Sequence, residues 1–242
     1  MLKTVSLLPE RVSDWNEYPF SVPAINSLRT LAIRERVCFF TGENGTGKST
    51  LLEAIASHYG FGREGGNRNF RNDSTENNAA IDPLSRALRL AFSVRTGAGF
   101  FLRAESFFNV ATHIDEIGVV SSYGGTSLHR QSHGESFFTL LEYRMRENGL
   151  FLLDEPEAAL SPQRQLSMLV LMHDVLRSHG SAQFIISTHS PILLGFPDAQ
   201  ILSFDDGAIR EIAYDECPPV QIVRRFTSHR KSFLEELLQD EP

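Results

Sequence analysis

Short runs that are apolar on every residue alternate with longer stretches of helical period along this chain. Val37-Cys38-Phe39-Phe40, Gly99-Phe100-Phe101-Leu102-Arg103-Ala104, Leu150-Phe151-Leu152-Leu153-Asp154 and Phe184-Ile185-Ile186-Ser187 have no polar face. That is the pattern of strands buried on both sides, as in a parallel sheet with helices on each face. The intervening segments supply the helices. Leu51-Leu52-Glu53-Ala54-Ile55-Ala56 begins one, and Asp82-Pro83 opens another running through Leu84, Ala87, Leu88 and Ala91. Residues 105–111 and 135–145 read as two more. Ser161-Pro162 caps and opens a helix with Leu166, Leu169, Val170, His173 and Leu176 on one face, ended by Gly180. Residues 20–33 read as extended segments interrupted by proline, 199–214 as a hairpin turning at Asp206-Gly207, and 221–238 as a helical tail. Residues 60–80 and 121–134 carry no apolar period and read as long loops. Strands alternating with helices predict an α/β fold with a mainly parallel sheet flanked by helices.

Bulk composition narrows this only a little. The 242 residues are 41% hydrophobic and 22% charged, the balance of an ordinary globular chain, and suffice for one large domain. No apolar run approaches the roughly 20 residues that span a bilayer, and the first ten residues lack the core of a signal peptide, so a cytoplasmic location is expected. The net charge of −7 argues against a nonspecific grip on nucleic acid. Local arginine groups (Arg63, Arg68 and Arg71; Arg224, Arg225, Arg230 and Lys231) read as solvated faces. Of the two cysteines, Cys38 falls in a predicted buried strand, where packing explains it.

The chemistry is carried by the ends of the apolar runs. After the first comes Gly42-Glu43-Asn44-Gly45-Thr46-Gly47-Lys48-Ser49, followed by Thr50, and then a helix. A G-x-x-x-x-G-K-S loop between strand and helix turns successive N–H groups inward around a phosphate, with the positive helix end aimed at the same point. Lys48 would reach the β- and γ-phosphates and Ser49 would ligate Mg²⁺. The third run ends in Asp154-Glu155-Pro156. Asp154 is placed to hold the metal, and Glu155 to polarise the water that attacks the γ-phosphate. The fourth run leads into Thr188-His189-Ser190-Pro191, where the histidine can donate to the γ-phosphate. Ser132-His133-Gly134-Glu135 reads as the opening turn of a helix, whose N-terminus attracts anions.

In this order the four segments resemble the ATP-binding-cassette (ABC) ATPases over nearly the whole chain. Ser132-His133-Gly134-Glu135 looks like that family's signature segment, and Ala158-Ala159-Leu160-Ser161 like the loop after its catalytic glutamate. The tracts around Phe101–Asn109 and Ser132–Ser136 are closest to single-domain bacterial ATPases of the repair and chromosome-organising branch. The resemblance implies a single ATPase domain over 1–242, with a small antiparallel β part and a helical signature lobe at about 82–146. It also implies a head-to-tail homodimer holding two ATP molecules, each gripped by residues 42–50 of one copy and capped by Ser132, Gly134 and Glu135 of the other. An unidentified protein partner would read the cycle; DNA is a partner only by the branch likeness. Two departures stand out: His133 replaces a glycine, and Glu105 takes the place of the family's usual glutamine, where the resemblance implies a contact with Mg²⁺ or its water. Tyr18 or Phe20 takes the position of an adenine-stacking aromatic. These departures leave room for a slow ATP-gated switch, and the fold also serves transporter engines.

Overall fold

The computed structural model describes residues 1–62, 79–105, 107 and 133–238. Nine strands form two sheets among these residues: β1 (Leu2–Leu7), β2 (Thr30–Ala32), β3 (Val37–Thr41), β4 (Leu88–Phe92), β5 (Gly99–Arg103), β6 (Leu150–Asp154), β7 (Gln183–Ser187), β8 (Gln200–Ser203) and β9 (Arg210–Glu211). The larger sheet runs β5-β6-β7-β3-β8-β9, parallel except for the antiparallel edge strand β9. The smaller is antiparallel, in the order β2-β1-β4. The expected α/β architecture, including the small antiparallel part, is therefore present.

Alternation along the apolar strands sorts the core into two layers. Phe39, Phe100, Leu102, Phe151, Leu153, Phe184 and Ile186 face one side, where α4 (His133–Arg144) and α5 (Pro162–Ser178) cover them with Phe137, Leu141, Met168 and Met172. Cys38, Phe40, Phe101, Leu152 and Ile185 face the other side. There α2 (Lys48–Tyr59) packs against both sheets through Leu51, Leu52 and Ile55. Burying one large aliphatic side chain is worth about 1.5–3 kcal/mol. A slip of one residue would exchange the two layers along a whole strand, so register is strongly fixed.

Four expectations are corrected. The helix expected through Ala91 stops early: α3 covers Asp82–Ala87, and Leu88–Phe92 leaves it as strand β4. The run Leu88-Arg89-Leu90-Ala91-Phe92 also alternates with period two, and pairing with β1 decides between the readings. That partner, Leu2–Leu7, was not expected as a strand at all. The extended reading of 20–33 holds only for β2, since Pro23 opens the short helix α1 (Pro23–Asn26). On α5 the buried face is Gln165, Met168, Met172 and Val175, whereas Leu166 and Val170 stay exposed. Methionine and glutamine fill that face, so a count of leucine and valine alone mis-set its phase.

The hairpin at 199–214 is present as β8 and β9, joined by a turn at Asp205–Gly207. The tail forms two helices, α6 (Pro218–Ser228) and α7 (Arg230–Leu237). Among the described residues no helix is long and apolar enough to cross a membrane. The expected helix at 105–111 and the loops at 60–80 and 121–134 lie wholly or largely outside the described residues, as do Arg63, Arg68 and Arg71.

Candidate functional site

The sheet register itself assembles the site. Arg103, Asp154, Ser187 and Phe40 stand opposite one another on successive strands at the carboxyl edge of the large sheet. The residues that follow these strand ends therefore converge on one crevice, the usual ligand position in open α/β sheets.

The Gly42–Ser49 loop leaves β3 and closes directly onto α2. Gly47, at φ 101°, caps the helix in a left-handed conformation, and a Cβ there would stand 2.8 Å from Val22 Cγ1. Gly42, at φ 137°, lies so close to Asp205 that a Cβ would come within 2.9 Å of its Oδ1. Only glycine fits either place. The Asp205 carboxylate accepts the Glu43 N–H at 2.8 Å, and the Thr46 hydroxyl donates to Glu43 O at 2.8 Å, so the loop is braced from both sides. Lys48 is buried, and its Nζ donates to the carbonyls of Gly42 (2.7 Å) and Glu43 (2.8 Å). Burial lowers the pKa of this ammonium, while the negative charges of Glu155, Asp154, Asp205 and Glu43 hold it up.

Ser49, one residue into α2, donates its hydroxyl to Asp154 Oδ1 at 2.8 Å. Burial raises the Asp154 pKa, and the Ser49 hydrogen bond and Arg103 oppose the rise. Glu155 follows at φ 48°, ψ 51°, an uncommon left-handed conformation for a residue with a side chain. Its N–H donates to Ser187 O at 2.9 Å, which ties the acid pair to the adjacent strand. The His189 Nε2 lies 3.9 Å from Glu155 Oε1, and burial, then the Lys48 charge, lowers the imidazole pKa. Neutral imidazole is thus the favoured form, able to donate from one nitrogen and accept at the other. The histidine backbone N–H donates to Glu157 Oε1 at 2.6 Å.

Two cavities border the loop. One, of about 360 Å³, is lined by Ser49, Arg103, Ala104, Glu105, Asp154, Glu155 and Ala158. The other, of about 700 Å³, lies between residues 43–46 and the turn after β8. Of the residues expected from sequence, Ser49, Asp154 and Glu155 line the first; His189 and Lys48 do not, though His189 Nε2 lies 3.9 Å from Glu155 Oε1 and Lys48 directly precedes Ser49. Glu105 lines it too, with a largely exposed side chain that pairs with Arg103. Gly134 and Glu135 line neither cavity; a Cβ on Gly134 would meet Ala159 O at 3.2 Å, and Glu135 pairs with Arg164 at 3.2 Å. Ser132 and the His133 side chain lie outside the described residues. Phe20 is a buried core residue against Trp15, whereas Tyr18 is exposed, with its hydroxyl 3.2 Å from Thr50 Oγ1.

Sequence reasoning missed Arg103, Glu53, Glu157 and Asp205. Arg103 ends an apolar strand just as Asp154 does, and Glu53 sits one helical turn after Ser49; both were findable by the logic that found Asp154. Nothing local marks Glu157 or Asp205, whose roles arise from contacts 32 and 162 residues away in sequence.

A family model described as "AAA domain, putative AbiEii toxin, Type IV TA system" matches residues 126–195. The thiamine import ATP-binding protein ThiQ of Rhizobium meliloti (strain 1021) is 29% identical over 194 residues, covering 75% of this chain and 79% of that protein. The aliphatic sulfonates import ATP-binding protein SsuB of Mycobacterium avium (strain 104) is 25% identical over 214 residues, covering 81% and 77%. In sequence the chain is thus similar to ABC-type ATPases. Among solved structures, the SMC head domain from Thermotoga maritima is 17% identical with a TM-score of 0.45, covering 88% of this chain and 99% of that one. The protein binds and hydrolyses ATP.

The donor set of this ATPase fits Mg²⁺. A hydroxyl and a carboxylate, both hard oxygen donors, meet at the edge of a cavity with room for water and phosphate oxygens. Among the described residues no three His, Cys, Asp or Glu side chains are grouped to hold a metal alone.

Burial pushes the Glu53 carboxyl up to about 7; Arg103 opposes the rise, while Asp154 and Glu105 add to it. The folded chain thus keeps a proton that the unfolded chain releases near pH 4.5. Stability falls as pH rises through that interval, because the folded state binds more protons there. Glu53→Gln, which stays neutral, is expected to gain about 3 kcal/mol on the wild type between pH 4.5 and 7. Urea unfolding of both proteins at a series of pH values checks this; a constant gap would count against it.

Proposed function

We propose that the protein is a Mg²⁺-dependent ATP switch whose closed form is a head-to-tail dimer and whose output is an action on a protein partner. Residues 42–50 hold the triphosphate, with Lys48 against its β- and γ-oxygens. Ser49 and Asp154 hold Mg²⁺, which when bound withdraws charge from the phosphate oxygens. Glu155 accepts the proton of the attacking water, and His189 donates to the γ-phosphate. Tyr18, exposed beside Thr50, offers a face to the adenine. The observation that carries this reading is the Ser49–Asp154 contact at 2.8 Å, in a cavity shared with Glu155.

Closure by a second copy is supported by what each chain lacks. Gly134 and Glu135 line neither cavity of their own chain. In a two-fold arrangement Ser132, Gly134 and Glu135 of one copy cap the nucleotide on the other, so neither copy holds a complete site. Triphosphate then favours the closed state and its hydrolysis releases it. Glu155→Gln, which keeps the shape but accepts no proton, is expected to accumulate an ATP-bound dimer of twice the monomer mass in light scattering. A protein that stays monomeric at saturating ATP would sink the shared site.

The names of the two curated relatives favour a second reading, the ATPase subunit of an importer. Capture of a multispanning membrane protein by the Glu155→Gln variant in detergent, dependent on ATP, would select it. Salt-sensitive, ATP-dependent binding of duplex DNA in the same assay would instead point to the repair branch.

A further inference from the structure

Arg103 has no part in the reading above, yet it lines the smaller cavity with a largely buried side chain. Its guanidinium lies among three carboxylates, one from α2, one from β6 and one from the turn that follows β5. Nη1 is 2.8 Å from Glu53 Oε1 on α2, Nε is 3.5 Å from Asp154 Oδ2 on β6, and Nη2 pairs with Glu105. The other Asp154 oxygen accepts from Ser49. The carboxylate that offers itself to a divalent ion therefore already faces a fixed positive charge on one oxygen. The guanidinium cannot shed that charge.

We propose that Arg103 is an internal counter-ion, standing in for the divalent metal at Asp154 and admitting metal only together with the triphosphate. The proposal rests on Ser49 and Asp154 being the metal ligands. Its physical basis is the strength of charge interactions away from water, where an arginine and a divalent cation sharing one carboxylate repel each other strongly. The triphosphate supplies surplus negative charge for both. The contacts suit such an exchange. The Nε–Asp154 contact is longer than a hydrogen bond, and Nε has no hydrogen-bond acceptor, so little is lost when it opens. The Glu53 contact is short and largely shielded, and retains the guanidinium. Glu105, mostly exposed, gives it a second anchor away from Asp154.

The test uses Mn²⁺ as the probe, with bound and free metal separated by paramagnetic resonance. Wild type is expected to bind Mn²⁺ at least tenfold more weakly without ATP than with it. Arg103→Gln is expected to bind Mn²⁺ at least tenfold more tightly than wild type without nucleotide. Arg103→Lys, which keeps the charge, is expected to behave as wild type, and Asp154→Asn added to Arg103→Gln is expected to remove the gain. An Arg103→Gln protein no tighter than wild type overturns the proposal, as does an Arg103→Lys protein equally tight or a gain that survives Asp154→Asn. If Arg103→Gln fails to fold, wild type decides: ATP-independent Mn²⁺ binding that Asp154→Asn abolishes overturns it. Should Asp154→Asn leave Mn²⁺ binding in the presence of ATP unchanged, the metal-ligand assignment itself fails.

Discussion

Lys48→Ala is expected to lower ATP turnover by about 10²–10³-fold, the usual loss when one preorganised charge-stabilising donor is removed from an active site. The geometry explains why this lysine has no substitute. Its ammonium is buried inside the loop, and donates to the carbonyls of Gly42 and Glu43. Four carboxylates, Glu155, Asp154, Asp205 and Glu43, act on its charge. Without it, the loop presents two carbonyls and a surplus of negative charge to an anionic substrate. Binding of ATP therefore weakens along with turnover. Part of the effect in the alanine variant is structural, since two buried acceptors lose their donor. Lys48→Met also leaves those carbonyls without a donor but keeps the packed stem, so it separates loss of the ammonium from loss of packing. Comparable turnover defects in both variants, with the methionine protein melting near wild type, would assign the loss to charge. Wild-type turnover in Lys48→Met would remove the lysine from the mechanism.

How much of this was visible in the chain follows from which interactions are local. Strands β3, β5, β6 and β7 were legible because burial on both faces makes them uniformly apolar, and the phosphate loop because a tight turn at Gly42 and Gly47 restricts residue type. Strands β1 and β4 were not legible. Leu88–Phe92 satisfies a helical and an alternating period at once, and only pairing with a strand more than 80 residues away settles it. The face of α5 was mis-set for a different reason. Met168, Met172 and Gln165 are the residues it buries, and Gln165 is buried because its amide donates to Leu160 O and its oxygen accepts from Ser190. A polar residue with both partners supplied costs little to bury, and hydrophobicity alone misses it.

The same division holds in the site. Asp154, Glu155 and His189 announce themselves by following apolar strands. The brace of Asp205 on Glu43 and the guanidinium of Arg103 depend on which strands neighbour which, and the order β5-β6-β7-β3-β8 is a property of the whole chain. Glu157 shows the consequence. Its carboxylate, raised in pKa by burial, accepts the His189 N–H, while Gln165 accepts from Ser190. The segment after the acid pair is thereby coupled to the histidine segment through two side chains. Leu160 is likewise linked through Gln165 to Ser190, the residue after His189.

Glu155→Gln carries the other large effect, a fall in turnover of about 10²–10⁴-fold, the contribution of a positioned general base. Glu155 is fixed by its backbone: the left-handed conformation, the N–H bond to Ser187 O and the following proline leave the side chain to project into the cavity with Ser49 and Asp154. A non-glycine residue in that conformation is unfavourable by itself, and its persistence there is the kind of strain that sites of function retain. Glutamine preserves volume and one acceptor oxygen but takes up no proton, so the attacking water loses its base while the phosphate loop is untouched. ATP affinity is accordingly expected to stay within a few-fold of wild type, in contrast to Lys48→Ala. Phosphate release under saturating Mg²⁺ and ATP, read beside nucleotide binding by calorimetry, separates the two. Turnover in Glu155→Gln within a few-fold of wild type would leave the water without an assigned base and shift attention to His189, whose Nε2 is 3.9 Å from Glu155 Oε1.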